Sequence, residues 1–178
     1  MNDSAEYITR AIKQTLESEP EDTDKFVDHI LQARKVFIYG VGRSGLIAKA
    51  FAIRLVQMGL EVFFVGETVT PIVEEGNLVI IVSYTGETMS AIQTANIVRR
   101  VGAKVITITA SPHSKLAGAS NLVIQLQPPK DEERKKHAPL GTVFEDATLI
   151  YLDSIIAMLM EKLGQSEGSM RKRHAIWV

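Results

Sequence analysis

The pattern of apolar and polar positions changes once along the chain, near residue 35. Before that point, apolar residues recur at the spacing of amphipathic helices. After it, short continuous apolar runs alternate with helical stretches. Such runs are typical of strands that are buried on both faces, and with helices between them they predict a parallel sheet in an α/β sandwich.

The first two predicted helices, over 3–18 and about 23–34, form a helical arm that we expect to cover a core or a subunit contact. Their inward faces are predicted to carry Ala5, Ile8, Ile12 and Leu16, and then Phe26, Val27, Ile30 and Leu31. Five strands are predicted at 35–40, 61–65, 78–82, 104–109 and 122–126.

Helices predicted at about 43–58 and 87–101 connect strands of this sheet. The polar segment 127–140 is bounded by prolines and predicts a long surface loop, acting as a lid or an interface arm. The helix predicted over about 142–163 is apolar around much of its circumference, so we expect it to serve both the core and an oligomer. We interpret the chain as one domain, with an arm at 1–34, a sheet core at 35–126, the loop at 127–140, and a C-terminal helix and tail at 141–178.

Composition narrows the classes of function. The 178 residues are 46% apolar and 23% charged, which suits a globular core. A net charge of −1 gives no basis for a nucleic-acid or membrane partner. The absence of cysteine excludes disulfides, thiolate metal sites and cysteine nucleophiles. The chain shows neither a signal-peptide pattern nor an apolar run long enough to span a bilayer, so we expect a cytoplasmic protein.

Hydroxyl side chains and a glycine follow the apolar run at 78–82, in the order Ser83-Tyr84-Thr85-Gly86-Glu87-Thr88. A helix start offers unpaired backbone N–H groups and the positive end of the helix dipole. Ser83, Thr85 and Thr88 add hydroxyl donors, and Gly86 lets the backbone approach a ligand. No lysine follows, so this is not the nucleotide-binding P-loop. The stretch predicts a pocket for a small phosphate ester, and an ordinary hydroxyl N-cap is the alternative.

A glycine-rich turn, Gly40-Val41-Gly42-Arg43-Ser44-Gly45, lies between the first strand and the following helix. It matches Gly-x-Gly-x-x-Gly, and Glu67 stands near the end of the second strand, where a dinucleotide site places its ribose-binding acid about 20 residues on. Against NAD, Arg43 suits a sugar hydroxyl or phosphate better than a pyrophosphate turn, and the chain leaves no room for a separate substrate domain. NAD binding is therefore kept as an alternative.

The strand order 2-1-3-4-5 of doubly wound sheets makes the first and third strands neighbours at the point where ligands bind. The turns at 40–45 and 83–88 then face each other across one crevice, which favours a phosphate site over two independent helix caps. Glu145, in the first turn of the long helix, either interacts with the helix dipole or acts as a general base, and its position leaves both open.

The four histidines are weaker indicators of a functional site than these motifs. His29 and His113 are interpreted as structural or solvated, whereas His137 on the predicted loop and His174 on the tail could each reach a pocket, across a subunit boundary if need be. No pair of histidines has metal-ligand spacing.

Five motifs in order resemble the sugar isomerase (SIS) domain family, and within it the 6-phospho-3-hexuloisomerase branch. They are Gly40–Gly45, Gly66–Pro71, Ser83–Thr88, Gly141–Glu145 and Arg173–Ala175. The likeness implies a flavodoxin-like, three-layer αβα sandwich with a five-stranded parallel sheet, in a homo-oligomer that is typically a tetramer. It also implies interconversion of 3-hexulose 6-phosphate and fructose 6-phosphate through an enediolate, with no metal and no redox cofactor.

The same resemblance implies roles for particular residues. Ser83, Thr85 and Thr88 hold the phosphate, and Gly42, Arg43 and Ser44 line the sugar. Glu67, Gly86 and Glu87 complete the predicted binding residues. Glu145 is the candidate base, and His174 is a candidate for ring opening or oxygen polarisation.

Two features depart from the family pattern. Tyr84 stands where small residues are usual, and the tail ends in Ile176-Trp177-Val178. We expect Trp177 to dock onto a neighbouring subunit. Arabinose 5-phosphate isomerase and a non-catalytic sugar-phosphate sensor are the alternatives, although a sensor within a transcription regulator is expected to carry a basic DNA-binding arm, which residues 1–34 do not supply.

Overall fold

The structure is a computed structural model that describes residues 2–17 and 20–174. Within these ranges the helices are α1 (Asp3–Leu16), α2 (Thr23–Gln32), α3 (Gly42–Gln57), α4 (Met89–Arg100), α5 (Lys115–Gly118), α6 (Glu133–His137), α7 (Thr142–Lys162) and α8 (Glu167–Arg171). The strands are β1 (Val36–Gly40), β2 (Val62–Phe64), β3 (Leu78–Val82), β4 (Lys104–Thr109) and β5 (Leu122–Gln125). The five predicted strands are confirmed.

The strands form one parallel sheet in the order β2-β1-β3-β4-β5, which confirms the predicted topology. In the register of the sheet, Gly40 is level with Val82, and Val82 is level with Ile108. The carboxyl ends of β1, β3 and β4 therefore lie side by side. The chain segments that leave these strands begin at the same edge of the sheet.

The sheet is covered by helices on both faces. Leu78, Ile80 and Val82 belong to a core shared with α2, α3 and α7, whereas Val79 and Ile81 belong to a second core shared with α4 and α5. Successive side chains of a strand point to opposite faces, so β3 is apolar at every position because both faces are buried. The continuous apolar runs in the sequence have this cause.

The N-terminal helices pack on the sandwich in different ways. In α2, Phe26, Val27 and Ile30 are buried in the main core, as predicted, and Leu31 packs against its edge. In α1 the predicted face was wrong by a fraction of a turn. Its fully buried residues are Tyr7, Ala11 and Thr15, while Ala5, Ile8, Ile12 and Leu16 are only partly buried. The reason is that α1 lies against both α6 and α7, so two neighbouring stripes of its surface are covered.

The C-terminal half contains helices that the sequence pattern did not predict. The segment 127–140 includes α6, and α5 and α8 are two further short helices. The long helix α7 is confirmed and buries most of its surface, although Ile150 is exposed. No helix in the described ranges is long and apolar enough to cross a membrane.

Candidate active site at the carboxyl edge of the sheet

The turns that follow β1 and β3 enclose one cavity of about 190 Å³. Val41 and Ser44 line it from the first turn, and the second contributes Ser83, Tyr84, Thr85 and Thr88. The remaining lining residues are Val82 and Ala91. The crevice predicted from the strand order is therefore present.

The glycine turn brings α3 unusually close to β1. A Cβ atom on Gly45 would lie 2.5 Å from the backbone oxygen of Gly40, a distance at which the two segments could not pack. Two glycines thus let the helix start directly behind the strand. Gly42 is the first residue of α3, with open space beside its Cα atom.

Two helices start beside the cavity, and neither is capped by a side chain. The N-cap residues are Val41 for α3 and Thr88 for α4, and neither makes a side-chain capping hydrogen bond. The first turns of both helices also lack acidic residues. Backbone N–H groups and two positive helix ends therefore face the space between β1 and β3, an arrangement that favours a bound anion.

The hydroxyl groups of the second turn lie at the same cavity. Ser83 is buried, with 4% of its surface exposed, and its Oγ atom lies 3.3 Å from Oγ1 of Thr88. Two hydroxyls that share one hydrogen bond leave the second hydroxyl hydrogen free to donate to a ligand. Thr85 lies at the rim, where its Oγ1 atom accepts a hydrogen bond from the Glu87 N–H at 3.3 Å.

Gly86 and Glu87 shape this turn from outside the cavity. The Glu87 carboxylate accepts a hydrogen bond from the backbone N–H of Lys115 at 3.1 Å and pairs with the Lys115 ammonium at 3.2 Å. These contacts lower the pKa of Glu87, the backbone hydrogen bond most strongly. Gly86 has φ of +65°, and a Cβ atom there would lie 2.0 Å from Oγ of Ser114. Both residues hold the turn against α5, so the structure gives them a positioning role.

Glu145 lies beside the glycine turn, in the first turn of α7. Its residue surface is 8% exposed, and its Oε2 atom accepts a hydrogen bond of 2.5 Å from Nε of Arg43. Gly141 leaves room for the carboxylate, because a Cβ atom there would stand 3.1 Å from Oε1 of Glu145. The bond to Glu145 raises the pKa of Arg43. The pair places a carboxylate and a cation together at this edge.

A second carboxylate lies next to this pair. Oδ1 of Asp146 is 3.9 Å from Nη2 of Arg43, and burial raises the pKa of Asp146 although Arg43 opposes the shift. The Arg43 guanidinium therefore lies beside two carboxylates. Glu145 is the more buried of the two and makes the shorter contact with Arg43.

Tyr84 connects the cavity to residues that the sequence did not single out for the site. Its ring packs on Phe144 with 5.2 Å between centroids, and its hydroxyl accepts a hydrogen bond of 2.5 Å from Nη1 of Arg134. Arg134 lies on α6, inside a segment predicted to be a loop. No sequence signal marked it, because its position depends on how α6 docks.

Three of the residues considered at the sequence level lie away from the cavity. Glu67 is exposed and pairs with Lys49 at 3.3 Å. His137 packs on the ring of Tyr7 and makes a 3.1 Å hydrogen bond with Ser4. His174 lies in the tail and is considered next.

His174 is not brought to Glu145 within one chain. The preceding residue, Arg173, donates a hydrogen bond of 3.1 Å to the backbone oxygen of Gln57, the last residue of α3. Arg43 stands at the other end of the same helix, about 21 Å away along its axis at 1.5 Å per residue. The tail therefore lies at the opposite edge of the sheet. Residues 175–178, including Trp177, lie outside the described residues, so its expected docking is not addressed by the structure.

The described residues include no group of three or more histidine, aspartate or glutamate side chains that could hold a metal ion. The cavity is lined by hydroxyl-bearing and small side chains, and the Arg43–Glu145 pair lies at the turn beside it.

These features define a class, that of doubly wound α/β proteins with a polar pocket at the topological switch point. Within this class, the chain belongs to the SIS domain family, whose model matches residues 29–152.

Named relatives and a solved structure agree with this assignment. The chain is 38% identical over 179 residues to a 3-hexulose-6-phosphate isomerase of Bacillus subtilis, with 98% of this chain and 91% of the relative covered. It is also 38% identical over 151 residues to the 3-hexulose-6-phosphate isomerase of Methanocaldococcus jannaschii, covering 85% and 81% of the two chains. A hypothetical protein of Methanococcus jannaschii, whose crystal structure is described as inferring the same function, superposes with a TM-score of 0.85 at 34% identity, covering 98% and 97%.

Proposed function

We propose that this protein interconverts D-arabino-hex-3-ulose 6-phosphate and D-fructose 6-phosphate. The observation that carries the proposal is the Arg43–Glu145 pair beside a hydroxyl-lined cavity between two uncapped helix starts. The names of the relatives at 38% identity support the same reaction and the same sugar phosphate.

The phosphate group of the open-chain sugar occupies the cavity in this proposal. Ser83, Thr85 and Thr88 supply hydroxyl donors, and the first turns of α3 and α4 supply backbone N–H groups. The carbon chain extends from the cavity toward the first turn of α7, so the reacting carbons lie next to Arg43 and Glu145.

Glu145 acts as the base in the reaction. It removes the proton from C2 of the 3-ketose, and the electrons of that C–H bond form a C2=C3 double bond in a cis-enediolate. Glu145 then returns a proton to C3, while the carbonyl forms at C2 and the hydroxyl proton moves from O2 to O3. The guanidinium of Arg43 is placed to stabilise the developing oxygen charge, since a fixed donor needs no reorganisation during the reaction.

His174 retains its proposed role in ring opening or oxygen polarisation, and its position requires that it act on a second copy of the chain. A homo-oligomer, with a tetramer as the expected form, supplies that neighbour. Leu46 and Ile53 on α3 and Ile150 on α7 are exposed apolar side chains on two helices that pack together, and self-association would cover them. A phosphosugar substrate and a cytoplasmic location complete the proposal.

The deciding experiment follows fructose 6-phosphate in D₂O by NMR. We expect the wild-type protein to exchange a carbon-bound proton and Glu145→Gln to lose about 10²- to 10⁴-fold of that rate, the usual contribution of a general base. Asp153→Asn is the matched control, because Asp153 is an exposed carboxylate on the same helix. Wild-type protein without exchange, or Glu145→Gln at the wild-type rate, overturns the proposal.

The substrate is tested by comparing turnover of hexulose 6-phosphate with that of ribulose 5-phosphate. Faster turnover of the pentulose would assign the arabinose 5-phosphate reaction instead. Tight binding of a sugar phosphate without turnover would assign a sensor, and a titration with NAD tests the dinucleotide alternative.

A further inference from the structure

The segment 127–140 is fixed to the body of the protein by α1. The hydroxyl of Tyr7 donates a hydrogen bond of 2.8 Å to Oδ1 of Asp131, and Arg10 pairs with Glu133 at 3.1 Å. Oδ1 of Asp131 also accepts a 2.9 Å hydrogen bond from the backbone N–H of Arg134, so the first turn of α6 is held in place. These contacts fix the position of the Arg134 backbone, from which its side chain extends.

On its other side, α6 reaches the candidate active site through one side chain. Nη1 of Arg134 donates a 2.5 Å hydrogen bond to the Tyr84 hydroxyl, and Tyr84 lines the cavity proposed for the phosphate. Both side chains are half-buried. The guanidinium is therefore one hydrogen bond away from a residue that lines that cavity, although Arg134 does not itself line it.

Tyr84 is itself held from three directions. Its backbone oxygen accepts hydrogen bonds of 3.1 Å from Oγ1 of Thr109 and from the N–H of Ala110. Its ring packs on Phe144, the residue before Glu145. A small residue at this position would leave the Arg134 guanidinium without this partner.

The charge of Arg134 is only partly matched by a carboxylate, that of Asp131, whose pKa is lowered mainly by its hydrogen bond from Tyr7 and also by the charges of Arg10 and Arg134. Arg43 pairs with Glu145, and Lys115 pairs with Glu87. In the part of the chain that the structure describes, Arg134 forms no ion pair, and its side-chain hydrogen bond goes to a neutral hydroxyl. A guanidinium has five N–H donors in a planar fork that fits phosphate oxygens, and one bond to Tyr84 leaves the others available.

We propose that Arg134 binds the phosphate group of the substrate and that Tyr84 is the positioning residue that holds its guanidinium beside the cavity. This inference rests on the proposed function for the identity of the sugar, and on the cavity for the phosphate. The segment 127–140 thereby supplies a cation to the site.

The test measures KM and kcat for fructose 6-phosphate, together with the binding of inorganic phosphate by calorimetry. Arg134→Gln should raise KM and weaken phosphate binding by about tenfold or more, because a charge-assisted hydrogen bond to the dianion is lost. kcat should stay near the wild-type value, since the reacting carbons lie at Glu145. Lys135→Gln is the matched control, as it removes the same charge from the same helix and its partner is the neighbouring Glu132.

Tyr84→Phe separates positioning from packing, because it keeps the ring on Phe144 and removes the hydroxyl. It should raise KM by less than Arg134→Gln, and the double variant should match Arg134→Gln alone, as expected for two residues acting through one contact. Wild-type KM and phosphate affinity in Arg134→Gln, or a loss confined to kcat, overturns the role of Arg134. Additive effects in the double variant overturn the role of Tyr84.

The outcome is distinguishable from failure of the proposed function. If the wild type binds inorganic phosphate through Arg134 but does not turn over fructose 6-phosphate, the reaction assignment fails and the phosphate site stands. If turnover is observed and Arg134→Gln leaves the affinity for phosphate unchanged, the reaction assignment stands and the proposed role of Arg134 fails.

Discussion

Arg43 and Glu145 meet at 2.5 Å although 102 residues separate them in the chain. Arg43 belongs to the turn after β1, and Glu145 lies in the first turn of α7. Their contact is made only when α7 packs against α3. The proposed cation and the proposed base are therefore positioned by the same packing contact.

Substitution of Arg43 should affect the chemical step. Arg43→Gln removes a donor placed at the developing oxygen charge, so we expect kcat/KM to fall by about 10²- to 10³-fold. Arg43→Lys keeps the charge but loses the planar donor geometry and should recover part of the loss. Arg54→Gln, near the far end of the same helix, serves as the control in steady-state assays. An unchanged kcat/KM in Arg43→Gln would contradict the proposed role.

Complementation tests the placement of His174. His174→Ala and Glu145→Gln should each lose most of the activity alone, since each removes one group from every site. Co-expression of the two variants should restore part of the activity, because a mixed oligomer contains sites with Glu145 from one chain and His174 from the other. Absence of any recovery in purified mixed oligomers would show that the two residues do not combine between chains.

The turn at Gly86 should be intolerant of a side chain. Gly86→Ala forces a left-handed backbone conformation on alanine and a contact of 2.0 Å with Ser114. We expect a loss of about 1–3 kcal/mol in the free energy of unfolding, measured by urea denaturation. Adding Ser114→Gly removes the clash and should recover only part of the lost free energy of unfolding, because the strained backbone at residue 86 remains and the N-cap of α5 is lost. Gly118→Ala, where a Cβ atom meets nothing within 4 Å, is the matched control and should be neutral or slightly stabilising.

The ion pair of Glu87 predicts a pH dependence of stability. Its pKa is lowered in the folded protein, so the native state holds this proton more weakly than the unfolded chain does. The stabilisation is present above the ordinary pKa of a glutamate and is lost as the pH falls through the lowered value. Glu87→Gln should therefore have a lower Tm than wild type at pH 7, and the gap should close in acid. A gap that is constant with pH, or that also appears in the exposed control Glu161→Gln, would refute this.

The sheet could be predicted because its physical cause is local. β3 is apolar at five consecutive positions since both of its faces are buried, and this leaves a direct mark on the sequence. The strand order of doubly wound sheets predicts that the turns at 40–45 and 83–88 face one crevice, and Ser44 and Ser83 do line one cavity.

The remaining features depend on packing between distant segments. The polar residues of α6 have no apolar periodicity, and the helix is held by contacts such as Tyr7–Asp131 that span 124 residues. The same contacts turned the buried face of α1 toward Tyr7. The distance of His174 from its own Glu145 reflects which end of α3 the tail reaches, and no sequence pattern encodes that choice.

The position of α7 has a consequence for biosynthesis. This helix shares one face of the sheet with α2 and α3 and carries Glu145, and it is translated after all five strands. Until it leaves the ribosome, α2 and α3 cover the core that contains Ile80, Ile106 and Ile108 only in part, and the apolar surface left open favours aggregation or chaperone binding. The residues of the cavity proposed for the phosphate emerge earlier, so the growing chain contains them before it contains the proposed base. The proposed base therefore joins the site only after α7 has been translated and has packed against α3.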